Sequence, residues 1–276
     1  MIIAEVKIGE FSRKEAVNKI FSFFQEATQH VLASVNPEGI LLARQNGRYR
    51  QVLNNASLAL ADGAGVVMAG MAFPERFKVQ SSRFKLGRIA GVDLMQALCA
   101  EAAKNNWRVF LMGGVGETAR RAVEKLREKF PGLIVEGEEG IPVATQNSKL
   151  KTQNLGIPSG QFQKFGQDPE FRIQNSGLIS RINQFKPQLL FVALGQPKQE
   201  LWIAENLSKL PSVRVAMGVG GAFDFISGNV TRAPVVMRKI GLEWFWRLII
   251  QPWRLPRILK ATIEFTWLVV REQFKR

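Results

Sequence analysis

The chain has 276 residues, 46 % of them hydrophobic, which is enough for a buried core and excludes global disorder. Thirty-eight Lys and Arg against 23 Asp and Glu give a net charge of +15, which points to an anionic partner: nucleic acid, a membrane surface or a phosphorylated substrate. A single cysteine, Cys99, excludes an intrachain disulfide, fits a reducing compartment and reads as core filler in the apolar run Leu98–Ala103.

The opening MIIAEVKIGEF is too short and too charged for the apolar part of a secretory signal. No run reaches the roughly 18 uninterrupted apolar residues of a spanning helix. The longest candidate, Ile258–Val270, is broken by Lys260 and Glu264, so any membrane attachment is expected to be peripheral.

Taken in chain order, Ile2–Ile8 predicts a strand and Arg13–Gln29 a helix, with Ala16, Ile20, Phe21, Phe24 and Ala27 near a helical period. His30 ends that helix and has no Cys or His companion. HVLASVNPEG (30–39) reads as a strand and a polar turn, followed by helical Ile40–Gln45 and Tyr49–Asn55. The apolar Leu58–Ala61 runs into Asp62-Gly63-Ala64-Gly65 and a helix-like Val66–Met71. Arg83–Gly91 is basic and Val92–Asn105 a helix. Strand Arg108–Met112 enters Gly113-Gly114-Val115-Gly116, then helix Glu117–Phe130 and strand Leu133–Glu136. From about Ile141 to Gly177 Gln, Asn, Ser, Gly and Lys dominate, and the segment reads as a surface insertion. Order returns with helix Leu178–Phe185, strand Leu189–Leu194, helix Glu200–Leu207, strand Val213–Val219 and Ala222–Ile226. Strands alternating with Gly turns and helices predict an α/β fold, a Rossmann-like, mostly parallel sheet flanked by helices.

Ligands of open α/β sheets bind at the carboxyl edge, where Asp62, Gly113-Gly114, Gln199 and Gly220-Gly221 all fall. GGVGE (113–117) opens a helix and serves equally as a phosphate cradle or a plain tight turn; it lacks both the dinucleotide fingerprint and a Walker lysine. Asp62 reads either as a helix cap or as a general base for a sugar hydroxyl. Glu200 reads as first-turn charge on its helix dipole, with Lys198 beside it, while Gln196, Pro197 and Gln199 have no evident packing purpose.

From Arg232 to Arg276 run ten Lys and Arg against Glu243, Glu264 and Glu272, interleaved with Trp244, Trp246, Trp253 and Trp267. Cationic heads and indole rings on helix-like segments suit a surface apolar below and anionic above. Arg247, Arg254 and Arg257 would share a face if the helix continued, but Pro252 and Pro256 are expected to break it.

Together these segments resemble the WecG/TagA/CpsF glycosyltransferase family. The resemblance rests on Asn36-Pro37-Glu38, ALADGAGVV (59–67), Arg88-Ile89-Ala90-Gly91-Val92-Asp93, VFLMGG (109–114), FPGLIVEG (130–137), LGQPKQE (194–200), GVGGAFDFISG (218–228), RAP (232–234), GLEWFWRL (241–248) and PWRLPR (252–257). The blocks fall in the family's order and cover nearly the whole chain outside 141–177, which has no counterpart in the family core. Ser34 stands where the family more often has Thr, and Val236 and Trp246 where it usually has Trp and Tyr.

The resemblance implies a membrane-peripheral, inverting and metal-independent hexosyltransferase without a cofactor, working at the cytoplasmic face of the bacterial membrane. Its expected partners are a UDP-sugar donor, a polyprenyl-diphosphate-linked acceptor and the membrane surface. In the best-understood branch N-acetylmannosamine passes to undecaprenyl-diphosphate-N-acetylglucosamine. Carried over, Asp62 is the base, Ser34 and Asn36 line its pocket, Arg88 sits near the diphosphate and Gln199 contacts sugar or nucleotide. Gly113, Gly114, Gln196, Lys198, Gly220 and Gly221 complete the expected binding set at the strand ends. Arg247, Arg254 and Arg257 belong to a C-terminal appendage (232–276) that closes over a core of residues 1–231 and docks on the membrane. A homo-oligomer that buries the apolar tail is the alternative to membrane contact. A nucleic-acid-binding module is disfavoured for lack of any binding motif, and an NAD-type enzyme for lack of the fingerprint.

Overall fold

In the computed structural model of the protein, residues 1–79, 88–139, 169–239 and 241–274 are described. Most of the expected insertion, 141–168, and Arg83–Gly87 of the basic segment lie outside them.

The expected first strand is a small hairpin, β1 (Ile2–Ile3) and β2 (Val6–Lys7), because Ala4 and Glu5 turn back with φ of 47° and 63°. The main sheet has six strands: β3 (His30–Val35), β4 (Leu58–Ala61), β5 (Arg108–Gly113), β6 (Ile134–Glu138), β7 (Leu189–Ala193) and β8 (Val215–Gly218). Their order is β4-β3-β8-β7-β5-β6, and every pairing is parallel. The Rossmann-like α/β class expected from the sequence is therefore the observed one.

Side-chain alternation sorts the sheet residues into two faces. Leu32, Leu60, Leu111, Phe191 and Met217 pack with α1 (Arg13–Phe23), α5 (Gly91–Asn105), α6 (Thr118–Lys129) and α9 (Ala222–Ile226). On the other face Ala33, Val35, Ala59 and Ala61 meet α2 (Pro37–Gln45), α3 (Gly47–Asn54) and α4 (Ala64–Ala72). Further along it, Phe110, Met112, Leu190 and Val192 meet α7 (Pro169–Phe185) and α8 (Lys198–Asn206). Cys99 is buried in the first of these clusters as expected, and burial pushes its thiol up to about 12.

Two boundaries moved for identifiable reasons. Helix α1 starts on a Ser12–Glu15 capping box but stops at Phe23, because His30 is already strand: its amide donates to Arg214 O at 2.8 Å. The His30 ring stacks on Phe23 at 3.8 Å. The polar turn expected after β3 is instead the capped start of α2, with Asn36 Oδ1 accepting from Gly39 N at 2.8 Å and Pro37 in the first turn. Helix α7 reaches back to Pro169, upstream of the expected Leu178.

The C-terminal segment forms α10 (Val235–Lys239), α11 (Glu243–Ile250), a 3₁₀ turn at Pro252–Arg254 and α12 (Leu255–Gln273). Helix α11 ends before Pro252, but Pro256 falls in the first turn of α12, where its missing N–H is harmless, so it opens that helix instead of breaking it. Phe265, Leu268 and Val269 of α12 are buried against the α2 side of the core. No helix of the described residues is long and apolar enough to cross a membrane.

Candidate active site

Asp62 follows the last residue of β4, and its amide donates to Val35 O at 2.8 Å, so the edge of the sheet fixes its backbone. Gly63 then takes φ of +111°, a conformation that favours glycine, and its missing side chain leaves room for Pro37. Of the two roles open to Asp62, capping the next helix is not the one observed: α4 has no side-chain cap. The carboxylate turns instead toward α5, where Oδ2 accepts weakly from Gly91 N at 3.4 Å and Oδ1 lies 3.7 Å from Arg88 Nε. A side chain at Gly91 would meet Ser34 Oγ at 3.3 Å and Asp62 Oδ2 at 3.7 Å, so both oxygens converge on this glycine. Ser34 Oγ is buried without a hydrogen bond.

Desolvation raises the Asp62 pKa above the usual carboxylate value. Arg88 and the Gly91 amide pull it back, and the negative charges of Glu243 and Asp93 push it further up. One side of the carboxyl group nevertheless stays open, with 25 % of the side chain exposed. The result is a partly exposed carboxylate of raised pKa at the carboxyl end of β4.

The neighbouring strand ends are those of β3, β7 and β8. After β7 the Gln196–Pro197 peptide is cis, and Gln196 Nε2 donates to Ser34 O at 2.7 Å, tying the β7 and β3 edges together. Gln199 is 1 % exposed. Its Oε1 accepts from Gly220 N at 2.9 Å and its Nε2 donates to Glu200 Oε1 at 2.7 Å. Both ends of the amide therefore hold the β8 turn and Glu200. A Cβ on Gly218 would fall 2.7 Å from Gln199 Nε2, which explains the glycine. Lys198 is partly buried, and desolvation lowers its pKa. Glu200, expected only as first-turn charge, is fully buried and pushed up to about 7 by desolvation. Tyr49 OH, Gln196 Oε1 and Asn36 Oδ1 surround the vacant side-chain position of Gly39 at 3.3, 3.3 and 3.4 Å.

Gly113 and Gly114 lie at the end of β5, four strands from β4 and so about 19 Å away along the edge. Gly114 N donates to Ala193 O at 3.1 Å, and a Cβ on Gly113 would sit 2.6 Å from Ala193 O. Close approach of β7 at Gly113, of Thr118 at Gly114, and a positive φ at each account for both glycines.

The other expected arginines lie in the C-terminal segment. Arg247 lies 5.0 Å from the Phe225 ring centroid, and its Nη2 would be 2.6 Å from a Cβ on Gly221. Arg257 Nε donates to Glu38 Oε1 at 2.6 Å, one residue from the Pro37 that abuts Gly63. Burial, then the like charges of Arg247 and Arg257, hold the Arg254 pKa down to about 10, and the neighbouring Asp224 and Glu38 offset this only in part. Arg247 and Arg257 thus lie close enough to Arg254 to disfavour its charge.

The ion-pair chain beneath them escaped the sequence reading. Arg88 Nη2 pairs with Glu243 Oε2 at 2.6 Å, and Arg232 Nε with Glu243 Oε1 at 3.1 Å. Arg232 also grips Asp93 with both terminal nitrogens at 2.6 and 2.8 Å. The available signal was Glu243, one of only three acids in a basic tail.

The glycosyl transferase WecG/TagA/CpsF family model matches residues 1–276. The chain belongs to this family. It is 32 % identical over 244 residues, 88 % of this chain and 80 % of its relative, to the N-acetylglucosaminyldiphosphoundecaprenol N-acetyl-beta-D-mannosaminyltransferase of Bacillus subtilis (strain 168). Family membership makes the protein a hexosyltransferase of cell-surface polysaccharide synthesis.

Proposed function

We propose that the protein transfers N-acetylmannosamine from UDP to a polyprenyl-diphosphate-linked N-acetylglucosamine with inversion, Asp62 acting as general base. The observation that carries this reading is a partly exposed Asp62 carboxylate with a raised pKa at the sheet edge, with Arg257 on Glu38 beside the Pro37 that abuts Gly63 and Arg247 against Gly221. The relative's name supports the acceptor and the transferred sugar.

In a single displacement the acceptor hydroxyl loses its proton to Asp62 as its oxygen attacks the anomeric carbon. The bond from that carbon to the diphosphate oxygen breaks, and its electron pair leaves with UDP. The charge developing on the diphosphate needs compensation, and guanidinium groups pair with phosphate oxygens in bidentate fashion. Burial first, and then the like charge of neighbouring arginines, lowers the pKa of Arg247 and Arg254. In this reading Gln196 and Gln199 position the strand ends, and Ser34 and Asn36 line the acceptor side.

The same appendage is proposed to lie on the cytoplasmic face of the membrane. Trp244, Phe245, Ile249, Trp253, Ile263 and Trp267 are exposed around its arginines and lysines. Lying flat would bury those rings at the headgroup boundary and bring the sheet edge to a lipid-linked acceptor.

The test is turnover of UDP-N-acetylmannosamine with a short-chain polyprenyl-diphosphate-N-acetylglucosamine, followed by mass spectrometry. Asp62→Asn should lower kcat by about 10²–10⁴-fold while UDP binding, measured by calorimetry, persists. Full turnover in that variant refutes the base assignment.

A further inference from the structure

Arg88 lies between two carboxylates and closes on only one. Its Nη2 is 2.6 Å from Glu243 Oε2, whereas its Nε stops 3.7 Å from Asp62 Oδ1, beyond hydrogen-bond reach. That Nε is buried and has no hydrogen-bond partner. A small swing toward Asp62 would satisfy it, so something holds the guanidinium back. The restraint is Glu243, itself braced by Arg232, whose other two nitrogens are committed to Asp93. Arg238 stands 3.9 Å from Asp93 and steadies the far end.

We propose that Glu243 is a positioning residue for the transfer: from the appendage it holds Arg88 off Asp62, so that the base keeps its proton affinity. The inference rests on Asp62 being the base. An unrestrained Arg88 would close a direct ion pair with Asp62 and make a poorer proton acceptor of it. Because Glu243 opens α11, the base is tuned only while the appendage is seated, and chemistry is thereby coupled to closure.

The charges facing Asp62 are Arg88 from the segment before α5, Asp93 from α5 and Glu243 from α11, with the Gly91 amide as the neutral donor. Those facing Glu243 are Arg88 and Arg232, with the field of Arg247 one turn further along α11. Neutralising Glu243 removes a negative charge that raises the Asp62 pKa, and it frees Arg88 to lower that pKa further. Both effects have the same sign.

The experiment compares the full-length wild type with Glu243→Gln and Glu243→Asp. Two readouts are the acidic limb of the kcat–pH profile and the titration of Asp62 by carboxyl ¹³C NMR, its resonance identified by its loss in Asp62→Asn. Glu243→Gln should move limb and titration about one pH unit lower and reduce the plateau kcat about tenfold, while Glu243→Asp, which keeps the charge, restores the wild-type limb. Proteolytic resistance of the 232–242 junction shows whether the appendage is still seated in each variant. An Asp62 titration that stays put or moves up in a seated Glu243→Gln overturns the inference. So does a downward shift in Glu243→Asp equal to that in Glu243→Gln. The NMR readout needs no turnover, so it stands whichever sugar is the donor. Retained turnover in Asp62→Asn instead sinks the base assignment on which the inference rests.

Discussion

The sheet core and the C-terminal helices are held by different forces. In the core, three apolar clusters fill both faces of the sheet, and the largest fully buried side chains, Trp202, Tyr49, Phe77 and Phe110 among them, lie there. Helix α11, by contrast, buries no residue fully and is tied down by Glu243 to Arg88 and Arg232. Only α12 anchors hydrophobically, through Phe265, Leu268 and Val269, each contributing about 1.5–3 kcal/mol. Around α11 large apolar side chains such as Trp244, Phe245 and Ile249 are exposed while Glu243 is turned to Arg88 and Arg232. The segment is thus seated by an apolar anchor in α12 and by ion pairs at α11.

The sharpest test of this contrast is the loss of one appendage cation. Arg247→Ala should reduce kcat/KM by about 10²–10³-fold, read by steady-state kinetics, while the thermal midpoint of the core barely moves. A large fall in midpoint would mean that the arginine serves packing and not the reaction.

The core has its own polar weak point in Glu200. Its pKa is raised from the ordinary 4.5 to about 7 in the folded state, so the folded protein binds more protons than the unfolded chain within that window. Stability then falls as pH rises from about 4.5 through 7, by up to about 3 kcal/mol. Below the window the group is protonated in both states and contributes nothing. Glu200→Gln should remove this pH dependence, so the variant's midpoint exceeds the wild type's at pH 8 and equals it near pH 4. A variant curve parallel to the wild type's would show that Glu200 is not the titrating group.

The smallest of the three effects is expected at the junction. Arg232→Ala removes the link between Asp93 and Glu243, leaving Glu243 with Arg88 and Asp93 with Arg238, and should weaken appendage seating by on the order of 2 kcal/mol. It should appear as faster proteolytic nicking between residues 232 and 242, with protection of the core amides unchanged. Uniformly faster exchange would mean that the two regions unfold as one.

What the sequence made legible follows the same division. The buried strands were readable because a parallel sheet covered on both faces demands continuous runs such as LLFVAL and RVFLM. The glycines after each strand located the carboxyl edge. Asn36-Pro37-Glu38 was misread as a turn, since an N-cap, a first-turn proline and an acid have the composition of a loop until the hydrogen bond to Gly39 is seen. The single arginines were legible one at a time, but their pairing was not. Arg88 with Glu243 and Arg232 with Asp93 join positions 155 and 139 residues apart, a separation over which no local period carries information. Glu200 illustrates the same limit: charge at a helix start predicts a dipole contact, and only packing reveals its burial.

Gly221 gives the contact between the two regions a particular consequence. Its absent methyl group is a notch of one carbon, and the tip of Arg247 fills it at 2.6 Å from where that carbon would stand. The core thus carries the negative imprint of a side chain that arrives only after another 26 residues of chain. Any chimera that exchanges C-terminal segments between members of this family inherits that constraint: the glycine and the arginine travel together, or the graft meets a filled socket.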